Sequence, residues 1–169
     1  KLDGDAHPYV GLVVSFDEQQ EPYVCSGSLI APEVVLTAGH CTVGQVVSFF
    51  IPRNKVPLGD LTGAIQGVPH THPDYRPGRR PDSVDDVPSG DIGVVVLSVP
   101  AAVSPKAKLP TAGLIDKLER KRRVDLVGYG AWEQARIPGK FLPKPPPYPR
   151  WYTLVAELDR RWSRSQLVP

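Results

Sequence analysis

Cys25-Ser26-Gly27-Ser28-Leu29-Ile30 is followed, after a Pro32-Glu33 turn, by Val34-Val35-Leu36-Thr37-Ala38-Gly39-His40-Cys41. Two apolar runs on either side of a proline-containing turn predict an antiparallel hairpin whose second strand ends on a cysteine-flanked histidine. The chain contains two cysteines, and the turn brings the strand ends back together, so a disulfide between Cys25 and Cys41 fits. Closing a loop of that size is worth on the order of 3 kcal/mol in the chain-entropy account, and it would pin the backbone beside His40. Such a bond implies an oxidising compartment. A metal site is the rival reading, but two cysteines and one adjacent histidine at this spacing lack the paired C-x-x-C signature of zinc.

The hairpin sits in a chain of short elements. Of 169 residues, 41% are hydrophobic and 22% charged, and 20 Lys plus Arg against 18 Asp plus Glu leave a net charge of +2. This balance describes a soluble globular domain; it argues against disorder, against a membrane span and against the broad basic field of a nucleic-acid binder. The 20 prolines are more than twice the usual share and mean many turns. The chain opens Lys1-Leu2-Asp3 and holds no Met, so residue 1 is expected not to be the start of the gene product.

Strand-like runs recur at Tyr9 to Phe16, Tyr23 to Ile30, Val34 to Ala38, Val46 to Ile51, Ala64 to Val68, Ile92 to Val99, Val124 to Tyr129 and Tyr152 to Leu158. The absence of alternating helices predicts an all-β fold. Nearly continuous runs such as Leu12-Val13-Val14 and Val94-Val95-Val96-Leu97 suit barrel strands buried on one face. The single helical candidate, Gly113 to Arg123, sets Leu114, Ile115 and Leu118 against Lys117, Glu119, Arg120, Lys121, Arg122 and Arg123; it reads as a solvated connector in preference to a basic binding helix. Residues 138–149 hold six prolines and read as an exposed loop, with Pro145-Pro146-Pro147-Tyr148 a weaker candidate for a proline-reading partner. Residues 76–90, dense in Arg, Asp, Pro and Gly, read as a second long loop.

The hairpin resembles the first catalytic motif of the trypsin and chymotrypsin family of serine proteases, in which Thr-Ala-Ala-His-Cys follows a Cys-x-Gly-x-Leu-Ile strand. Here the motif reads Thr37-Ala38-Gly39-His40-Cys41, with Gly39 a small-for-small departure that would give the backbone more freedom. The family's second motif, an Asp opening a buried apolar strand, is matched by Gly90-Asp91-Ile92-Gly93-Val94-Val95-Val96-Leu97. A carboxylate at the mouth of such a strand is expected to be desolvated unless it is paired, and an imidazole makes its burial tolerable. Asp91 lies downstream of His40, which meets the family's order; Asp85 and Asp86 precede no apolar run and read as loop charges. Pro8-Tyr9-Val10-Gly11-Leu12 is similar to the family's opening strand, His72-Pro73-Asp74-Tyr75 to its His-Pro-x-Tyr strand end, and Val127-Gly128-Tyr129-Gly130 to its Gly-Trp/Tyr-Gly strand. His7, His70 and His72 carry no catalytic motif and read as surface histidines.

The resemblance implies an all-β, chymotrypsin-like double β-barrel with the first barrel complete (1–112), a connector (113–123) and only part of the second (124–169). It implies catalytic roles for His40 and Asp91. The family's Gly-Asp-Ser-Gly-Gly nucleophile run does not occur. Ser26 and Ser28 lie in the hairpin, Ser89 precedes the Asp strand, and Ser163 and Ser165 lie among arginines without a glycine pair, so none qualifies. With Pro8 so near the start, the free Ile or Val terminus of the family is not seen either. The expectation is therefore a piece of a secreted, extracellular serine endopeptidase of the microbial type, inactive alone, monomeric and acting on peptide or protein substrates. No cofactor, metal, nucleic acid or membrane enters it. Two alternatives are a non-catalytic pseudoprotease or binding module, and a truncated product with unpaired strands from Val124 and Tyr152.

Overall fold

The structure is a computed structural model that describes residues 1–76, 90–119, 121–129 and 157–166. Within them lie β1 (Val10–Asp17), β2 (Pro22–Ala31), β3 (Val34–Thr37), β4 (Gln45–Ile51), β5 (Lys55–Pro57), β6 (Ile65–Thr71), β7 (Gly93–Leu97), β8 (Arg123–Gly128), β9 (Glu157–Asp159) and β10 (Arg161–Gln166). Six of these close a barrel in the order β1-β2-β3-β7-β6-β4, every pair antiparallel. β8 pairs with β10, and β5 with β9. No helix among the described residues is long and apolar enough to cross a membrane.

The barrel follows from where the β-branched residues fall. Along β1, Val13 points into one cluster with Leu29, Val35, Phe50, Val95 and Leu97. Its neighbours Val10, Leu12 and Val14 point the other way, into a second cluster with Ile51, Val56 and Tyr129. Each such side chain contributes roughly 1.5–3 kcal/mol when fully buried. β1 is thus buried on both faces, where the sequence suggested one, because Tyr129, Val127 and Leu158 cover its outer side. β7 behaves as expected: Val95 and Leu97 are buried while Val96 is exposed. Phe50 fits inside because Gly11 has no side chain, since a Cβ there would overlap the Phe50 ring.

Three other expectations change. The candidate helix at Gly113 to Arg123 is only a 3-10 turn, Ile115–Lys117, bounded by left-handed Gly113 (φ 73°) and Lys121 (φ 63°), conformations that no α-helix continues through. The strand from Val124 is not unpaired, because β10 lies against it in register from Arg123↔Gln166 to Gly128↔Arg161. β5 and β10 themselves were not anticipated. The proline-rich loop 138–149, most of the loop 76–90 with Asp85, Asp86 and Ser89, and residues 152–156 of the last expected strand lie outside the described residues.

The first residues run beside β10, with a bridge from Leu2 to Arg161 and Asp3 N–H donating to the Arg160 carbonyl at 3.0 Å. Arg160 is 1% exposed and donates from Nε to Asp3 at 2.9 Å. Its remaining nitrogens donate to the carbonyls of Val10 and Gly4 and to the Asn54 side chain. His7 is not a plain surface histidine, for its ring and backbone N–H both meet the Asp3 carboxylate. His70 and His72 are exposed, as expected.

Tyr129 ties β8 to the barrel. Its N–H donates to Ser26 Oγ at 2.8 Å and its hydroxyl to the Arg53 carbonyl. Burial pushes its hydroxyl up to about 12 from an ordinary 10. Between those values the unfolded chain loses the proton and the folded one keeps it, so stability is present in full below pH 10 and is lost as pH rises toward 12. The loss is roughly 2–3 kcal/mol. Urea midpoints measured across that range should fall more steeply for the wild type than for Tyr129→Phe; parallel decline would contradict the assignment.

Candidate active site

β3 delivers the histidine. After Thr37 the backbone stays extended at Ala38 and then closes a 3-10 turn, Gly39–Cys41, through Cys41 N–H donating to the Ala38 carbonyl at 3.1 Å. Thr42, buried, anchors that turn: its hydroxyl donates to the Gly39 carbonyl at 3.0 Å and lies 2.8 Å from the Thr71 hydroxyl on β6. Cys41 is bonded to Cys25 on β2, with Cα atoms 6.2 Å apart. The two sulfurs and a His40 ring nitrogen all lie within 4.8 Å of one another. Since both sulfurs are committed to each other, the disulfide is the reading the structure adopts.

The carboxylate arrives by sheet register. β3 pairs with β7 from Val34↔Val96 to Thr37↔Gly93, so the residues just past the paired ends, His40 and Asp91, are brought together. The His40 N–H donates to Asp91 Oδ1 at 2.9 Å, and His40 Nδ1 lies 3.0 Å from Oδ2 and 3.2 Å from Oδ1. Partial burial on its own would raise the Asp91 carboxyl; hydrogen bonds from the His40 backbone and ring outweigh it and hold the group below the ordinary carboxylate range. An ionised carboxylate only accepts, so in the neutral imidazole the proton belongs on Nδ1, and Nε2 then carries the lone pair. The arrangement can orient an imidazole and present its other nitrogen as a base.

Two details differ from the sequence expectation. The His40 and Asp91 side chains are 48% and 41% exposed, so pairing, not desolvation, is what the pair has achieved. Gly39 does not use a left-handed conformation. It supplies room instead, because a Cβ there would sit 3.1 Å from the backbone N and O of Ile92, beside Asp91, and 3.1 Å from the Tyr75 ring. A side chain at Gly39 would press on the backbone next to the carboxylate.

Two tyrosines flank the pair. Tyr23 meets the His40 ring edge-on at 6.5 Å between centroids, and burial, then the charges of Asp91 and Tyr23, push the Tyr75 hydroxyl up. Tyr75 was visible in the His72-Pro73-Asp74-Tyr75 motif, whereas Tyr23 carried no signal beyond lying two residues before Cys25. Among the described residues, the His40 ring has Asp91 as its hydrogen-bond partner and no serine. Ser26 accepts the Tyr129 N–H instead.

A protein-family model described as trypsin matches residues 4–140. A trypsin of Saccharopolyspora erythraea is 31% identical over 112 residues, which are 63% of this chain and 44% of that protein. Phenoloxidase-activating factor 1 of Holotrichia diomphalia is 34% identical over 80 residues, 36% of this chain and 22% of that protein. The chain therefore spans less than half the length of these curated relatives. Among solved structures, that of HL collagenase superposes with a TM-score of 0.66 at 13% identity, over 96% of this chain and 59% of that one. The structure of GrC superposes with a TM-score of 0.60 at 17% identity, over 97% and 62% respectively. At these identities the superpositions speak to architecture, and they bear out the all-β, chymotrypsin-type fold.

Proposed function

The chain belongs to the trypsin family, and on that premise we propose that it carries the histidine and aspartate of a secreted serine endopeptidase whose nucleophile lies outside these 169 residues. The observation that carries the reading is the His40–Asp91 pair, in which the ring Nδ1 lies 3.0 Å from the carboxylate. His40 Nε2 would take the proton of an attacking serine and return it to the leaving amine. Asp91 would hold the tautomer and stabilise the imidazolium as it forms. Peptides or proteins are the substrates. In this reading residues 1–112 form the unit bearing the pair, 113–123 connect, and 124–169 begin a second unit that the remainder of the protein would complete. The Cys25–Cys41 disulfide supports an extracellular setting.

The chain by itself should not turn over peptides, since oxyanion donors alone contribute about 3 kcal/mol each to such catalysis. A serine-directed fluorophosphonate is expected to leave it unlabelled, and stoichiometric labelling would refute the placement of the nucleophile. The pair is tested separately by nitrogen NMR of His40. The Nδ1–H form should dominate in the wild type and give way in Asp91→Asn; an unchanged tautomer would remove Asp91 from its role.

A further inference from the structure

The basic residues between 117 and 123 read in sequence as a solvated connector, yet the structure assembles them with β10. An open groove of about 440 Å³ is lined by Glu119, Lys121, Arg122, Arg123, Asp125 and Arg164. Arg164 also lines an adjoining hollow of about 340 Å³ with Lys1, Trp162 and Ser163, so the two form one strip along the β8–β10 sheet. Its five cationic side chains, Lys1, Lys121, Arg122, Arg123 and Arg164, are all exposed. Five cations less two carboxylates give the strip +3, against +2 for the whole chain, so the other residues together sum to −1. The strip thus gathers five of the 20 Lys and Arg side chains of the protein against two carboxylates.

Charge at this density repels itself, and the strip offsets little of it. Arg164 meets Asp125 at 3.0 Å, a pair 53% and 40% exposed, which is worth little to stability. The three consecutive cations Lys121, Arg122 and Arg123 stand at a left-handed turn leading into β8, with their side chains outward. Guanidinium forks match tetrahedral oxyanions two bonds at a time, which ammonium groups do not.

We propose that this strip is a binding surface for a sulfated polysaccharide. Its cations come from three separate segments and line an elongated depression, so they suit a polymer that offers several anionic groups in a row more than a lone ion. Nucleic acid fits less well. Bound single strands stack bases on aromatic rings, and Trp162, the aromatic of the strip, is already engaged by Lys1 Nζ at 5.4 Å and the Arg164 guanidinium at 5.6 Å. The disulfide also points to an oxidising, extracellular setting, where sulfated polysaccharides are the common polyanions.

The test is calorimetric titration of the chain with a heparin-derived oligosaccharide at several salt concentrations. Binding should be evident at low salt and weaken linearly on a log–log plot. Lys121→Gln/Arg122→Gln/Arg123→Gln should bind at least about tenfold more weakly and show a slope shallower by roughly two. Asp125→Asn, which removes a carboxylate from the groove, should bind at least as tightly as wild type. If the triple variant melts early, the single Lys121→Glu change, outside any strand, gives the same reading. Absence of low-salt binding, wild-type affinity in the variants that lose Lys or Arg, weaker binding by Asp125→Asn, or equally tight binding of single-stranded DNA of matched charge would each overturn the proposal. None of these outcomes depends on proteolysis, so the endopeptidase reading stands or falls separately.

Discussion

Asp3→Asn is expected to lower the folding stability by about 3 to 5 kcal/mol, because it neutralises one partner of a buried ion pair. The reason is the company Arg160 keeps. Its guanidinium is 1% exposed, its Nε donates to an Asp3 carboxylate with no exposed surface, and its other nitrogens reach carbonyls of Val10 and Gly4. Neutralising Asp3 leaves every hydrogen bond but one geometrically intact and strands a buried positive charge. Burial alone would raise the Asp3 carboxyl, but hydrogen bonds from His7 and Arg160 hold it below its ordinary 3.8. Its contribution is therefore complete above that ordinary value and is lost as pH falls through the lowered one. Urea unfolding should show the deficit at neutral pH and show it shrinking in acid. Replacing the pair together, as Asp3→Leu with Arg160→Met, should recover much of the loss, since no charge is then left without a partner. A deficit of less than about 0.5 kcal/mol in the single variant would mean that Arg160 is hydrated after all.

Arg160 also shows where the sequence stops being informative. Asp159-Arg160-Arg161 reads as surface charge, and nothing local distinguishes the buried arginine from its less buried neighbours; its partners stand 106 or more positions away, at Asn54, Val10, Gly4 and Asp3. β5 and β10 were hidden for a related reason. Lys55-Val56-Pro57 and Arg161-Trp162-Ser163-Arg164 lack apolar alternation, and they become strands because β9 and β8 supply ladders for them. The barrel strands were legible because β-branched residues and turn residues mark them directly. So was the candidate site, where a cysteine-flanked histidine ends one strand and an aspartate opens another. What the sequence could not convey was that the β3–β7 register brings the two within 3.0 Å while leaving them nearly half exposed. The helix expected at Gly113 to Arg123 failed for a backbone reason: left-handed residues at both ends outrank a plausible apolar face.

Removing the disulfide is expected to act on stability and on the site together. Cys25→Ala with Cys41→Ala releases a 16-residue loop, which costs about 3 kcal/mol in the chain-entropy account, or a fall in Tm of roughly 6–12 °C for a protein of this size. The second consequence follows from position. Cys41 is the last residue of the three-residue turn whose centre is His40, and it tethers that turn to β2. Once the tether is gone, the turn is held by Thr42, through the Gly39 carbonyl and Thr71, and by the His40 N–H on Asp91. Those bonds fix the backbone of Gly39 and Thr42 but leave the turn free to rock about them. The His40 Nδ1 proton should then exchange with solvent faster than in the disulfide-bonded protein, at temperatures well below the melting transition. If Tm falls while that proton is unaffected, the disulfide serves the barrel alone. If Tm stays within about 2 °C of the wild type, the loop-closure argument itself fails for this hairpin, because the turn at Pro32 and Glu33 already holds the strand ends together.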